Sequence, residues 1–134
     1  MTYGNLDNFI PYTIAKKLKD KGYTQDFEGG FKYIYRNDTT LLRLSDIGAY
    51  DAEYCGEYLP CPRIYQVMDW LVTEKHIFIE MSMAFNKFYV KSVSTNEFDE
   101  TMGEQKLLHF NPTDYLTVAD SVLHEIDYII TNLI

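Results

Sequence analysis

CPRIYQVMDWLVTEKHIFIEMSM, residues 61–83, decides the fold, because its apolar period changes once along its length. Pro62 suits a first helical position, and Ile64, Val67, Met68, Leu71 and Val72 recur at the spacing of one helical face. After Lys75 and His76 the period falls to two, with Ile77 and Ile79 pointing one way and Phe78 and Glu80 the other. The stretch predicts a helix that ends and feeds a strand. Trp70 and Tyr65 fall on the two shoulders of that helix, beside the apolar stripe rather than within it. A helix that only covers a sheet has no use for large rings on both flanks. Either another part of the chain packs over them, or a partner does.

Upstream, Ile10, Ile14 and Leu18 share one side of a helix opened by Pro11, with Ala15 at its margin. Gly22 followed by Tyr23 predicts a Schellman stop, with the helix ending at Lys21. Lys16, Lys17 and Lys19 take the other side, which reads as a solvated face in preference to a basic patch for an acidic partner. FKYIYR (31–36) and TTLLRLS (39–45), joined at Asn37 and Asp38, predict an antiparallel hairpin. Residues 46–60, DIGAYDAEYCGEYLP, hold Asp46, Asp51, Glu53 and Glu57 with no Lys or Arg, and Tyr50, Tyr54 and Tyr58 recur every fourth residue. Gly48, Gly56 and Pro60 limit any helix there to a turn or two, so the stretch reads as a structured loop. Its tyrosines either lie on the domain's own surface or form an acidic, aromatic contact patch.

Downstream, residues 77–83 are expected to pair with FYVKSV (88–93) across a turn at Asn86 and Lys87. STNEFDETMGE (94–104) is polar and acidic and reads as a mobile loop, and QKLLHF (105–110) as one more strand. Asn111 and Pro112 supply the N-cap and first residue of a closing helix. Its apolar arc holds Leu116, Ala119, Val122, Leu123, Ile126, Ile129, Ile130 and Leu133. Its polar arc holds Asp114, Asp120, Ser121, His124, Glu125, Asp127, Tyr128 and Thr131. The order α-β-β-α-β-β-β-α predicts a single α+β domain over residues 1–134, a mainly antiparallel sheet of about five strands (two hairpins plus one strand) with three helices packed on it.

A chain of 134 residues, 46% hydrophobic and 16% aromatic, is a folded globule of one-domain size rather than a disordered chain. Its 12 Lys and Arg against 20 Asp and Glu give a net charge of -8, which disfavours nucleic acid as a directly bound partner. No apolar run reaches membrane-span length and the first residues carry no basic and apolar leader pattern, so no membrane partner is expected and the chain reads as cytoplasmic. Cys55 and Cys61 read as reduced, and their spacing lacks the neighbours a zinc site needs, so neither metal nor cofactor is expected.

Catalysis has no motif behind it. No phosphate loop, dinucleotide fingerprint, nucleophile elbow or HExxH is present. Asp120, His124 and Tyr128 form a strip along the closing helix, but a solvated face offers no cleft. His76 suits the end of the central helix. His109, between Leu108 and Phe110 in the last strand, reads as a hydrogen-bonded strand histidine in preference to a residue facing a pocket. Cys55 lacks the nearby positive charge that would make a nucleophile.

AKKLKDKGY (15–23), CPRIYQVMDWLVTEKHIFIEM (61–81) and ADSVLHEIDYII (119–130) together resemble a group of short proteins of Bacteroides-type gut bacteria and their phages or mobile elements. That resemblance implies a setting, an accessory protein rather than a metabolic enzyme, and carries no site residues. The first expectation is therefore a small protein acting by contact with another protein or with itself, through Trp70, Tyr65, Tyr50, Tyr54 and Tyr58, and without catalytic residues. The alternatives are a small enzyme or ligand-binding domain with a pocket near His109 and the 94–104 loop, and an acidic mimic of nucleic acid that occupies a nuclease or regulator.

Overall fold

The computed structural model describes residues 6–23, 33–37, 40–43, 59–84, 87–111 and 117–134. Within them the protein is α+β, with three helices and antiparallel sheets. The chain divides into two compact units, Phe9–Arg63 on the one hand and Met1–Asn8 with Ile64–Ile134 on the other. Instead of one sheet of about five strands there are two of three strands each.

In the unit Phe9–Arg63, helix α1 spans Tyr12–Asp20, strand β1 Tyr33–Asn37, β2 Thr40–Arg43 and β3 Leu59–Pro60. The expected hairpin is β1 with β2, Tyr33 opposite Arg43 and Asn37 opposite Thr40. The unforeseen member is β3, which pairs Leu59 with Tyr35 and Pro60 with Ile34. It is an edge of the order β2-β1-β3, where a proline without an N–H is tolerated. Pro11 is the N-cap of α1 rather than its first residue.

Helix α1 ends as its sequence dictates. Gly22 sits at φ 90, its N–H donates to Lys19 O at 3.1 Å, and the N–H of Tyr23 reaches back to Leu18 O at 3.0 Å. Those are the two bonds of a Schellman motif, and Leu18 and Tyr23 are both buried. A Cβ on Gly22 would meet nothing within 4 Å, so the cost of a side chain there is conformational alone. Gly22→Ala is expected to lose about 1 kcal/mol, read as a lower urea midpoint with an unchanged m-value. Lys16, Lys17 and Lys19 are all exposed.

Tyr23 and Cys61 lie in the core of this unit, with the Cys61 thiol donating to Ile10 O at 3.6 Å; Cys55 lies outside the described residues. Burial, and secondarily the nearby Cys61, push the Tyr23 phenol from 10.0 up to about 12. Below pH 10 the phenol is neutral both folded and unfolded. Between pH 10 and 12 the unfolded chain releases that proton and the folded chain holds it, so stability falls as pH rises. The loss approaches about 2 kcal/mol by pH 12. Spectrophotometric titration at 295 nm should show a late-ionising tyrosine that Tyr23→Phe removes.

In the other unit, helix α2 spans Ile64–Lys75, β4 Ile77–Ala84, β5 Lys87–Asp99, β6 Glu104–Asn111 and α3 Val118–Asn132. Helix α2 starts at Ile64, not at Pro62, because its first free N–H groups have backbone partners: Ile64 donates to Asn8 O at 2.9 Å and Tyr65 to Leu6 O at 3.1 Å. The backbone carbonyls of Leu6 and Asn8 thus cap the central helix. Ile64, Val67 and Leu71 are buried, as the spacing required. His76 joins α2 to β4 at φ 57, a left-handed position that His visits more often than most residues, and its carbonyl accepts from Thr95 N at 2.8 Å.

The strands form one antiparallel sheet in the order β4-β5-β6. The segment 94–104, expected as a mobile loop, is the end of β5, a tight turn and the start of β6. Asp99 Oδ1 accepts from Thr101 N at 2.9 Å and Met102 N at 3.3 Å, and Gly103 takes φ 69. These are the turn's own chemistry. Asn111 closes β6 instead of capping a helix, and α3 begins at Val118 under Thr117, whose side chain accepts from Asp120 N at 3.1 Å. The expected helical residues Pro112, Asp114 and Leu116 lie outside the described ones.

Candidate functional site

The register of β4, β5 and β6 assigns each side chain to one of two faces, because residues directly opposite each other share a face and neighbours along a strand do not. Ile77, Ile79, Val90, Ser92, His109 and Asn111 fall on one face, and α3 packs there, as the contacts of His109 with Glu125 and Tyr128 establish. Phe78, Glu80, Tyr89, Lys91, Val93, Leu107 and Phe110 fall on the other. An additional residue in β6, Leu108, lies between the pairs Ser92 with His109 and Val93 with Leu107. This bulge keeps Leu107 and Phe110 on the same side.

The helix-covered face encloses a polar cluster. His109 Nδ1 lies 2.5 Å from Glu125 Oε1, and its ring stacks on Tyr128 at 3.5 Å between centroids and 13° between planes. Glu125 is 0% exposed, and its Oε2 has no hydrogen-bond partner among the described residues; the same holds for Ser92 Oγ, on the residue opposite His109. Beside them Asn111 Nδ2 and His124 Nδ1 are 3.1 Å apart. A carboxylate at Nδ1 fixes the ring's orientation, and in the neutral tautomer it leaves Nε2 as the acceptor. This arrangement can hold an imidazole for proton transfer or for a single ligand bond. Among the described residues no group of three or more His, Cys, Asp or Glu could hold a metal ion.

His109 therefore has an acidic partner, but from α3 rather than from the 94–104 segment. Glu125 and Ser121 are buried, not on a solvated arc; Ser121 Oγ donates to Val118 O at 2.8 Å. Of the expected Asp120, His124, Tyr128 strip, Tyr128 lies against His109 and His124 against Asn111. Glu125 was detectable from its spacing: it stands three residues after Val122 and four before Ile129, inside the apolar stripe.

The open face is apolar and wet. Phe98 is 61% exposed, Leu107 53%, Phe110 46% and Phe78 45%. Phe98 lies opposite Gln105, on the side of Leu107, and Tyr89 stacks on Phe110 at 5.9 Å. A trough of about 480 Å³ crosses this face, floored by Val93, Leu107 and Phe110 and edged by Glu80, Lys91 and Glu104. Lys91 Nζ sits 3.7 Å from Glu80 Oε2, both partly exposed.

Of the ring candidates on α2, Tyr65 is 40% exposed. Trp70 is half-buried, with Lys75 Nζ 5.4 Å from its ring centroid. Tyr50, Tyr54 and Tyr58 lie outside the described residues. No described helix is long and apolar enough to cross a membrane. Compared with known proteins, the chain matches no family model, no curated protein and no solved structure.

Proposed function

We propose that this protein works by contact with another protein, through the open face of the β4-β5-β6 sheet. The observation that supports it is the set Phe78, Phe98, Leu107 and Phe110, four large apolar side chains exposed together on one face of one sheet. Scattered exposed apolar residues are ordinary; a contiguous group beside charged neighbours marks an interaction surface. Tyr65 on α2 is a secondary anchor. An accessory role in a phage or mobile element, and a cytoplasmic setting, belong to the same reading.

The test is affinity capture from a native host with wild-type protein and with Leu107→Asp combined with Phe110→Asp. A stoichiometric partner held by wild type and lost by the double variant, at unchanged circular dichroism, is expected. Equal capture by both, or no stoichiometric partner at all, would contradict the reading.

A second reading, a small enzyme or ligand-binding domain, is favoured by the His109 and Glu125 pair alone, a buried carboxylate orienting an imidazole. His109→Gln should abolish any such activity while Phe110→Asp leaves it intact. The acidic-mimic reading has the net charge of -8 behind it and no site of its own.

A further inference from the structure

We infer that the trough on the open sheet face takes a segment of a partner protein in which Lys or Arg side chains flank an apolar anchor. The inference rests on the reading of this face as a protein-contact surface and adds the chemistry of what it contacts.

The floor selects the anchor. Val93, Leu107 and Phe110 line the depression with hydrocarbon, and an inserted Leu, Met or aromatic side chain would cover what water now wets. The rim selects the flanks. Among the described residues at the rim, Lys91 is the single cation, and it already leans on Glu80. Glu104 edges the trough at the other end and brings a second carboxylate to the rim. Lys106, the cation of β6, is outside the trough lining and is held by Glu97 at 3.0 Å. Glu100, in the same turn, is exposed.

The whole chain adds to this local pattern. A net charge of -8 draws in a basic segment and repels an acidic one or a nucleic acid. A second copy of this chain would bring the same excess of carboxylates to a rim already rich in them, which makes it the poorer occupant.

The experiment titrates three synthetic peptides of equal length into the full, nitrogen-15-labelled chain at low and at raised salt. One alternates Arg with Leu and Phe, one replaces its Arg by Glu, and one replaces its apolar residues by Ser. The first peptide is expected to shift the amides of Phe78, Lys91, Leu107 and Phe110. Its affinity should fall about two- to five-fold for each of Glu80→Gln and Glu104→Gln, and should fall further with salt. The Glu and Ser peptides should bind at least about tenfold more weakly. Equal binding by the Glu peptide would overturn the charge assignment while leaving the contact surface itself standing. No response to any peptide, or shifts confined to α2, would overturn the inference, and the capture experiment would then decide separately whether the face binds protein at all. Concentration-dependent shifts of the same amides without peptide would overturn it in favour of self-association.

Discussion

His109→Ala is expected to cost about 3–5 kcal/mol of stability, the largest single loss outside the apolar core. The reason lies in what it leaves behind. Glu125 is fully buried, its Oε1 has His109 Nδ1 at 2.5 Å, and its Oε2 has no partner among the described residues. Without the imidazole, the carboxyl group keeps its desolvation and loses its charge-assisted bond. Replacing both residues together, His109→Leu with Glu125→Met, should recover most of the loss, because a buried pair exchanged for apolar residues of similar size is often neutral or stabilising. Urea unfolding of the single and double variants measures the coupling directly. If His109→Ala unfolds at the wild-type midpoint, the pair is not the buried contact described here.

The second large effect is a contrast between faces of the same sheet. Ile126→Ala should lose about 2–5 kcal/mol, as a fully buried side chain of α3 leaves a cavity that its neighbours fill only in part. Leu107→Thr, which keeps the strand propensity and removes a side chain more than half exposed, should change stability by about 0.5 kcal/mol or less. The two together ask whether the apolar residues of the open face are surplus to folding. A large loss at Leu107 would mean that the face is part of the core and has nothing left for a partner.

Several elements were legible because one local signal sufficed. The period change after Lys75 marked the end of α2 and the start of β4, and Gly22 with Tyr23 marked the end of α1. Other elements depended on tertiary pairing. β3 is two residues long and ends in a proline, so no alternation could reveal it. The 94–104 segment is too polar and acidic to resemble a strand, yet its Phe98 and Asp99 pair with Gln105 and Glu104 of β6. Asn111 with Pro112 carries a helix-start signal, but Asn111 completes a sheet ladder opposite Val90, and the side-chain cap belongs to Thr117.

The candidate site divides in the same way. His109 was legible as a hydrogen-bonded strand residue. Its partner was not, because a carboxylate invites assignment to the solvated arc even when its spacing from Val122 and Ile129 places it in the stripe. The rings on α2 were legible from their shoulder positions. The aromatic open face was not, since Phe78, Phe98, Leu107 and Phe110 come from three strands and meet only through register.

Hydroxyl-radical footprinting of the isolated protein, and of the protein with its captured partner, reads the open sheet face residue by residue. Rapid oxidation of Phe78, Phe98, Leu107 and Phe110 is expected in the isolated chain and protection of all four in the complex, with Ile126 unreactive in both. Slow oxidation of those four in the isolated chain, or protection centred on Tyr65 and Trp70 while they stay reactive, would contradict that expectation.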